Sequence, residues 1–244
     1  MITLAIPTYN RAEYVLESFS KVIGNDLITE ICIVDDFSDY QIFERLQNII
    51  RENQIADSNY RKVKIYRNDK NLGSFFNKLE CVKMSNNNWI ILLDSDNIID
   101  NDYLDIVRDL KDENVIYAPS HAVSDSSLLN YTRYSGKVLS KAEYKDLVTG
   151  FDVAWDCILN TGNYFFNREK YIECIEKEDH LINSLASDVY YLLYLWFKNL
   201  DNSKFEIVKG LKYIHRLHGQ SHYVNSPNSF DVLLSIKSFV RLWS

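Results

Sequence analysis

The residues best equipped for chemistry follow an unbroken apolar run, Trp89-Ile90-Ile91-Leu92-Leu93, and read Asp94-Ser95-Asp96-Asn97. Apolar positions without polar alternation suit a strand covered on both faces, as in the middle of a largely parallel sheet. Residues two apart on a strand project to one side. Asp94 and Asp96 are therefore expected to converge at the strand's carboxyl end, where open α/β sheets bind ligands. Two carboxylates held close repel unless a cation or a shared proton lies between them. Oxygen donors of this kind suit Mg2+ or Mn2+, above all when a substrate's phosphates complete the shell. Asp, Ser and Asn also favour turns, so a plain turn is the competing reading of these four residues.

Three strand–helix steps lead up to that run. Ile2 to Ile6 reads as a buried strand expected to stop at Pro7, leaving Pro7-Thr8-Tyr9-Asn10-Arg11 as a loop. Apolar residues near helical spacing predict a helix from about Glu13 to Ile23. Ile31-Cys32-Ile33-Val34 is a second buried strand ending in Asp35-Asp36-Phe37-Ser38-Asp39, and Ile42 to Ile55 is helical in period. Val63 to Tyr66 alternates like a third strand, leads into Asn68 to Gly73, and is followed by a helix over Ser74 to Met84. This alternation predicts an α/β fold with right-handed crossovers and a mostly parallel central sheet flanked by helices. It gathers Tyr9, Asn10, Asp35, Asp36, Asn71, Asp94 and Asp96 along one sheet edge. Neither Gly-x-Gly-x-x-Gly nor Gly-x-x-x-x-Gly-Lys occurs. A nucleotide bound at this edge would need its diphosphate neutralised by a metal.

The 244 residues suit one domain, and 46% hydrophobic with 25% charged residues is ordinary for a globular protein. A formal charge of −7 argues against a nucleic-acid partner. Cys32, Cys81, Cys157 and Cys174 lack zinc spacing and read as buried free thiols. Met1 to Pro7 reads as a strand, not a signal peptide, and no apolar run reaches the length of a membrane span. The expectation is a cytoplasmic protein able to rest on the inner face of a membrane.

Four segments in order carry a family resemblance: Ile6 to Arg11, Ile33 to Asp39, Asn71-Leu72-Gly73 with Asn77, and Leu92 to Asn97. Together they resemble the family-two glycosyltransferases of GT-A fold. That resemblance implies a nucleotide-sugar-binding half over 1–119 and an acceptor-binding half of the same domain over 120–244. It places Pro7, Thr8, Tyr9 and Arg11 on the uracil and ribose side, with Tyr9 packing on the base or else capping the core. Asp36 would accept from base or ribose, or cap the next helix, for which Asp39 is as well placed. Asn71 and Asn77 are nucleotide contacts in this reading and backbone partners in the plainer one. Asp94 and Ser95 would lie near the ribose, with Asp94 and Asp96 holding Mn2+ or Mg2+.

Past Asp100 a helix from Tyr103 to Leu110 and a strand from Val115 to Ala118 are expected, and Ser120 to Gly150 reads as polar and irregular. Lys137, Lys141 and Lys145 read as one solvated helical face. Thr161 to Arg168 resembles the family's acceptor-side strand, its glycine letting substrate approach the backbone. Leu185-Ala186-Ser187-Asp188 opens an apolar helix. Asp188 matches the family's catalytic base, with Ser187 in place of the preceding acid, and a helix N-cap is its plainer role. Arg216, His218 and Ser221 match an Arg-x-His-x-x-Ser segment, Arg216 facing phosphate and His218 completing the metal shell. If that segment is extended, His215 faces the opposite side and is the second choice of ligand. Phe230 to Trp243 is amphipathic, suited to packing on the core or to lying on a bilayer.

The activity implied is inverting, metal-dependent transfer of a sugar from a nucleotide sugar, UDP-linked, to a hydroxyl of a glycan or lipid-linked acceptor in bacterial surface-polysaccharide synthesis. A sugar nucleotidyltransferase and a non-catalytic nucleotide-sugar-binding subunit are the alternatives; the first ordinarily opens with a glycine-rich phosphate loop.

Overall fold

A computed structural model of the chain describes residues 1–124, 130–150, 163–179, 181, 187–216 and 229–243, with backbone alone at 187–189 and 229–232. Its first half alternates β1 (Ile2–Thr8), α1 (Ala12–Ser20), β2 (Ile28–Asp35), α2 (Tyr40–Ala56), β3 (Val63–Arg67), α3 (Ser74–Met84) and β4 (Trp89–Leu92). Then come α4 (Asn101–Val107), β5 (Val115–Val123), β6 (Val138–Leu139), α5 (Lys141–Thr149), β7 (Phe165–Asn167) and α6 (Arg168–Glu176). Helix α7 (Ser187–Asn199), β8 (Lys204–Ile214) and α8 (Ser229–Arg241) complete the described elements.

One eight-stranded sheet runs through the whole, in the order β3-β2-β1-β4-β7-β5-β8-β6. Strands β1 to β4 pair in parallel, as do β5 and β8, while β7 is antiparallel to both neighbours and β6 to β8. The sheet is thus mostly parallel, as expected. The two reversed strands are too short for periodicity to assign a direction.

Apolar runs in the central strands are explained by cover on both faces. Leu4, Ile6, Ile31, Ile33, Ile91 and Leu93 point to one side, against Val15 and Phe19 of α1, Leu46 and Ile50 of α2, and Tyr103 and Leu104 of α4. Their alternates Ala5, Cys32, Val34, Ile90 and Leu92 point to the other, against Phe75 and Leu79 of α3 and the aromatic-rich α7. Cys32, Cys81 and Cys174 are free and buried; Cys157 lies outside the described residues.

Several expectations need correction. Strand β1 does not stop at Pro7: it continues to Thr8, with Pro7 in register with Val34. Pairing with β4 ends at Ala5, so a residue lacking an N–H falls where β1 has lost its neighbour on that side. Ser120 to Gly150 is not irregular in its described part, which holds the end of β5, β6 and α5. Helix α5 starts on a reciprocal capping box between Ser140 and Glu143. Nor are Lys141 and Lys145 a bare solvated face. Lys145 Nζ donates to the Trp243 carbonyl, and Lys141 Nζ lies 5.1 Å from the Trp243 ring centroid. Helix α8 packs on the core through Leu233, Ile236 and Val240, and Lys237 Nζ donates to the Gly150 carbonyl.

At the amino end of the sheet, Glu30 is 4% exposed and binds the Thr3 hydroxyl, the Lys64 ammonium and the Asn86 backbone N–H. Burial pushes its pKa up, but the donors from Asn86, Lys64 and Thr3 outweigh this and hold it below the ordinary carboxylate value. A depressed folded pKa gives stability that is present above the unfolded pKa and lost as pH falls through the folded one. Glu30→Gln should therefore lower stability at neutral pH by about 1–3 kcal/mol and flatten the acid loss. Thermal melts of both proteins from pH 7 down to 3 check this, and superimposable melting curves would refute it.

Candidate active site

The carboxyl ends of β1, β2, β3 and β4 meet in a set of mutually bonded loops. Asn10, at φ 53, donates its N–H to Ser38 Oγ, and its side-chain oxygen accepts from the Asp39 N–H. Asp36 N donates to the Thr8 carbonyl at 2.8 Å. The Asp36 carboxylate accepts from the backbone of Leu72 (2.8 Å) and Gly73 (2.9 Å) and from Asn68 Nδ2 (2.9 Å). Asn71 Nδ2 donates to the Asp36 carbonyl, and buried Asn77 donates to the Val34 carbonyl while accepting from Asn68. Asp36, Asn71 and Asn77 thus spend polar atoms on shaping the rim. Asp39 is the residue before α2, but its side chain makes no cap bond. Pro7 and Thr8 are buried at the strand end, and Tyr9 is left 42% exposed beside them.

Asp94 and Asp96 lie past the end of β4, so strand alternation does not place them. They sit in a turn closed by Asn97 N donating to the Asp94 carbonyl at 2.9 Å. The plain-turn reading of these four residues therefore describes them. Leu93 N bonds to the Ala5 carbonyl and Asp94 N to Asn163 Oδ1, anchoring one end. Ile98 and Ile214 exchange backbone bonds and anchor the other to the tip of β8. Ser95 is buried within the turn.

Each carboxylate faces a cation. Asp94 Oδ1 is 2.9 Å from Lys78 Nζ, and Asp96 Oδ2 is 2.6 Å from Arg11 Nη1. The Lys78 side chain is only 6% exposed, that of Asp96 9% and that of Arg11 13%. Burial pushes the Asp94 carboxyl up, but Lys78, then Arg11 and His215, outweigh it and hold the pKa below the ordinary value. Tyr213, on β8, is buried near the same acids. Burial raises its phenol, Asp94 and Asp96 add to the rise, and a hydrogen bond with the Asn163 side chain opposes it.

The end of β8 separates its side chains as an extended chain should. His215 packs edge-on to the Tyr213 ring, centroids 6.0 Å apart, and adds the smallest of the positive influences on Asp94, whereas Arg216 turns to α1, its Nη2 2.6 Å from Glu17 Oε2 and its guanidinium over the Tyr14 ring. His218 and Ser221 lie outside the described residues. Asp188 is in the first turn of α7, one residue inside the helix, and its side chain is likewise not described.

Among the described residues no three Asp, Glu, His or Cys side chains form a ready metal cage. Two carboxylates on one turn with an imidazole nearby fit the other kind of site, in which one or two carboxylates and the substrate's phosphates share Mg2+ or Mn2+. Close by in the chain, Thr8 Oγ1 and the Asn97 amide are buried without hydrogen-bond partners, an arrangement that leaves polar capacity to spare at this rim.

Lys78 joins this site without belonging to any of the four motif segments, yet its place in the chain carries a signal. It falls three residues after Phe75 and four before Val82, on the buried stripe of α3 with Leu79, so helical spacing alone places this lysine inward. Because Asp36 ties two backbone N–H groups of the β3–α3 loop, Asp36→Ala should cost about 2–4 kcal/mol by orphaning them. Chemical denaturation of the two proteins checks this, and unchanged stability would refute the role.

Comparison with known proteins bears on this arrangement. The family model "Glycosyl transferase family 2" matches residues 3–175. The Mycoplasma genitalium protein MG060, described as an uncharacterized glycosyltransferase, is 29% identical over 100 residues, 40% of this chain and 32% of that protein. Its Mycoplasma pneumoniae homolog is 20% identical over 251 residues, covering 98% of this chain and 74% of the relative. Among solved structures, S. aureus TarS 1-349 in complex with UDP-GlcNAc superposes with a TM-score of 0.68 at 13% identity, over 99% of this chain and 66% of that one. The mannosyltransferase PcManGT from Pyrobaculum calidifontis, in complex with GDP-Man and Mn2+, gives 0.59 at 13% identity over 99% and 70%. The chain thus matches under two thirds of MG060 and of TarS 1-349, and the structural likenesses speak to the fold, which is that of GT-A glycosyltransferases. By the extent of the family match, the chain belongs to the family-two glycosyltransferases.

Proposed function

We propose that this chain transfers a sugar, with inversion, from a UDP-linked nucleotide sugar to a hydroxyl of a glycan or lipid-linked saccharide. The observation that carries the reading is the pair of carboxylate–cation contacts, Asp94–Lys78 and Asp96–Arg11, held on one turn at the rim of the sheet. Structures of similar fold that hold UDP-GlcNAc, or GDP-Man with Mn2+, support it. The acceptor class and a role in bacterial surface-polysaccharide assembly rest on the family resemblance alone.

In this reading residues 1–119 hold the donor and 120–244 the acceptor. Tyr9, exposed at the end of β1, offers a face to the base, with Pro7 and Thr8 shaping the floor beneath it. Asp36, Asn71 and Asn77 fix the loops that border base and ribose. Asp96 and Asp94, with His218 as the family pattern implies and His215 as the second choice, would hold Mn2+ or Mg2+, which when bound would supply positive charge to the leaving diphosphate. Arg11, released from Asp96, is placed to pair with phosphate oxygens. Arg216, paired with Glu17 of α1, fastens the chain past β8 to the rim, and the family pattern turns it toward phosphate when the donor binds. Asp188, at the start of α7, takes the proton of the acceptor hydroxyl as its oxygen attacks the anomeric carbon from the face opposite the diphosphate. No protein nucleophile is required. Among the described residues no helix is long and apolar enough to cross a membrane. Contact with a lipid-linked acceptor at the inner face would therefore be peripheral as far as these residues are concerned.

Two substitutions test the division of labour. Asp188→Asn should lower transfer by roughly 10²–10⁴-fold while leaving UDP affinity nearly unchanged, and Asp96→Ala should remove the part of UDP binding that depends on Mn2+. Calorimetric titration of UDP with and without Mn2+, beside a UDP-sugar transfer assay, reads both. Loss of UDP affinity in the first variant would move Asp188 off the acceptor side, and undiminished metal-dependent binding in the second would undo the metal assignment.

A further inference from the structure

Among the described side chains, four charges meet at the acidic turn: Asp94 and Asp96 against Lys78 and Arg11, with contacts of 2.9 and 2.6 Å. Their sum is zero, two negative against two positive. The two cations differ in how firmly they are held. Arg11 occupies the residue just before α1, in a loop, and can withdraw from Asp96. Lys78 sits within α3, among Phe75, Leu79 and Val82, with its side chain 6% exposed. Its ammonium reaches Asp94 from the packed face of the helix, at 2.9 Å.

Resting on the donor-site reading above, we propose that Lys78 is a positioning residue that balances Asp94, so that the turn takes up a divalent cation only together with the nucleotide's diphosphate. A dication entering alone would add two positive charges where the described charges already balance, and Lys78 would repel it from Asp94. With the diphosphate present, its negative charges cancel the dication and give Arg11 a new partner. The site then stays close to neutral throughout. Coupling of this kind is reciprocal: the factor by which UDP tightens Mn2+ equals the factor by which Mn2+ tightens UDP. Loss of the Lys78 charge removes one positive charge from beside Asp94 and exposes the Asp94 oxygen it now holds. The metal should then bind without the nucleotide.

The test reads metal occupancy, not turnover. Free Mn2+ is followed by electron paramagnetic resonance as the purified protein is titrated, alone and with saturating UDP, after allowance for the Mn2+–UDP complex in solution. The wild type should bind Mn2+ weakly alone and about tenfold or more tighter with UDP. Lys78→Met should tighten Mn2+ alone by about tenfold and shrink the coupling factor to match. Lys78→Arg, which keeps the charge, should retain the wild-type coupling. Lys78→Gln, which keeps a hydrogen-bond donor and loses only the charge, should behave like the methionine variant and serves if that variant fails to fold. Wild-type coupling in Lys78→Gln or Lys78→Met overturns the inference alone. Absence of Mn2+ uptake by the wild type even with saturating UDP overturns the donor-site reading, and the inference with it.

Discussion

Two carboxylates on a four-residue turn, at the end of a strand buried on both faces, each meet a cation there. In this fold the supply is built in from both sides of the turn: a lysine from α3 for Asp94, and an arginine from the β1–α1 loop for Asp96. Leaving Asp96, 9% exposed, without its partner would cost about 3–5 kcal/mol, and Asp94, 30% exposed, would lose less because water screens it. The positions of the flanking elements are therefore coupled to the turn. Helix α3 must present Lys78 inward, the first loop must bring Arg11 across, and the tip of β8 must close over the turn through Ile214. A site arranged to meet charge with charge is also one in which a bound ion and an anionic substrate can be exchanged for protein groups at modest cost.

The rest of the rim is held by backbone groups rather than by spare side chains. Asp36 ties the β3–α3 loop, Asn10 ties the first loop to the second, and Asn163 ties the turn to β7's approach. Such bonding prepays the ordering of the loops, so a ligand arriving at the sheet edge meets a preformed surface. Tyr9 is the exception, left exposed where an aromatic ring of a ligand could stack.

How much of this was legible in the sequence depends on whether the cause was local. Strands β1, β2 and β4 announced themselves because burial on both faces demands an unbroken apolar run, and α3 was bounded to the residue by its own period. The pairing of Asp94 with Asp96 was legible, but not its geometry. One residue of difference in the strand's end moved both acids from a strand face into a turn. The capping box at Ser140 and Glu143 and the inward position of Lys78 are local signals that the residues carried. The setting of Lys145 against Trp243 is not local, since the partner lies far along the chain. Nor could residue types say whether His215 or Arg216 would face the acids. The antiparallel bridge between Ile98 and Ile214 decides that, and it is a long-range contact.

The central claim is that this rim, through the acids following Leu93, grips the diphosphate of a nucleotide sugar together with a divalent cation. A crystal structure of the protein soaked with UDP and Mn2+ tests it most directly. The account predicts the metal within coordination distance of Asp96, the diphosphate beside it, and the uracil against Tyr9. Well-ordered UDP and metal bound elsewhere on the protein, with Asp94 and Asp96 still closed on Lys78 and Arg11, would contradict it.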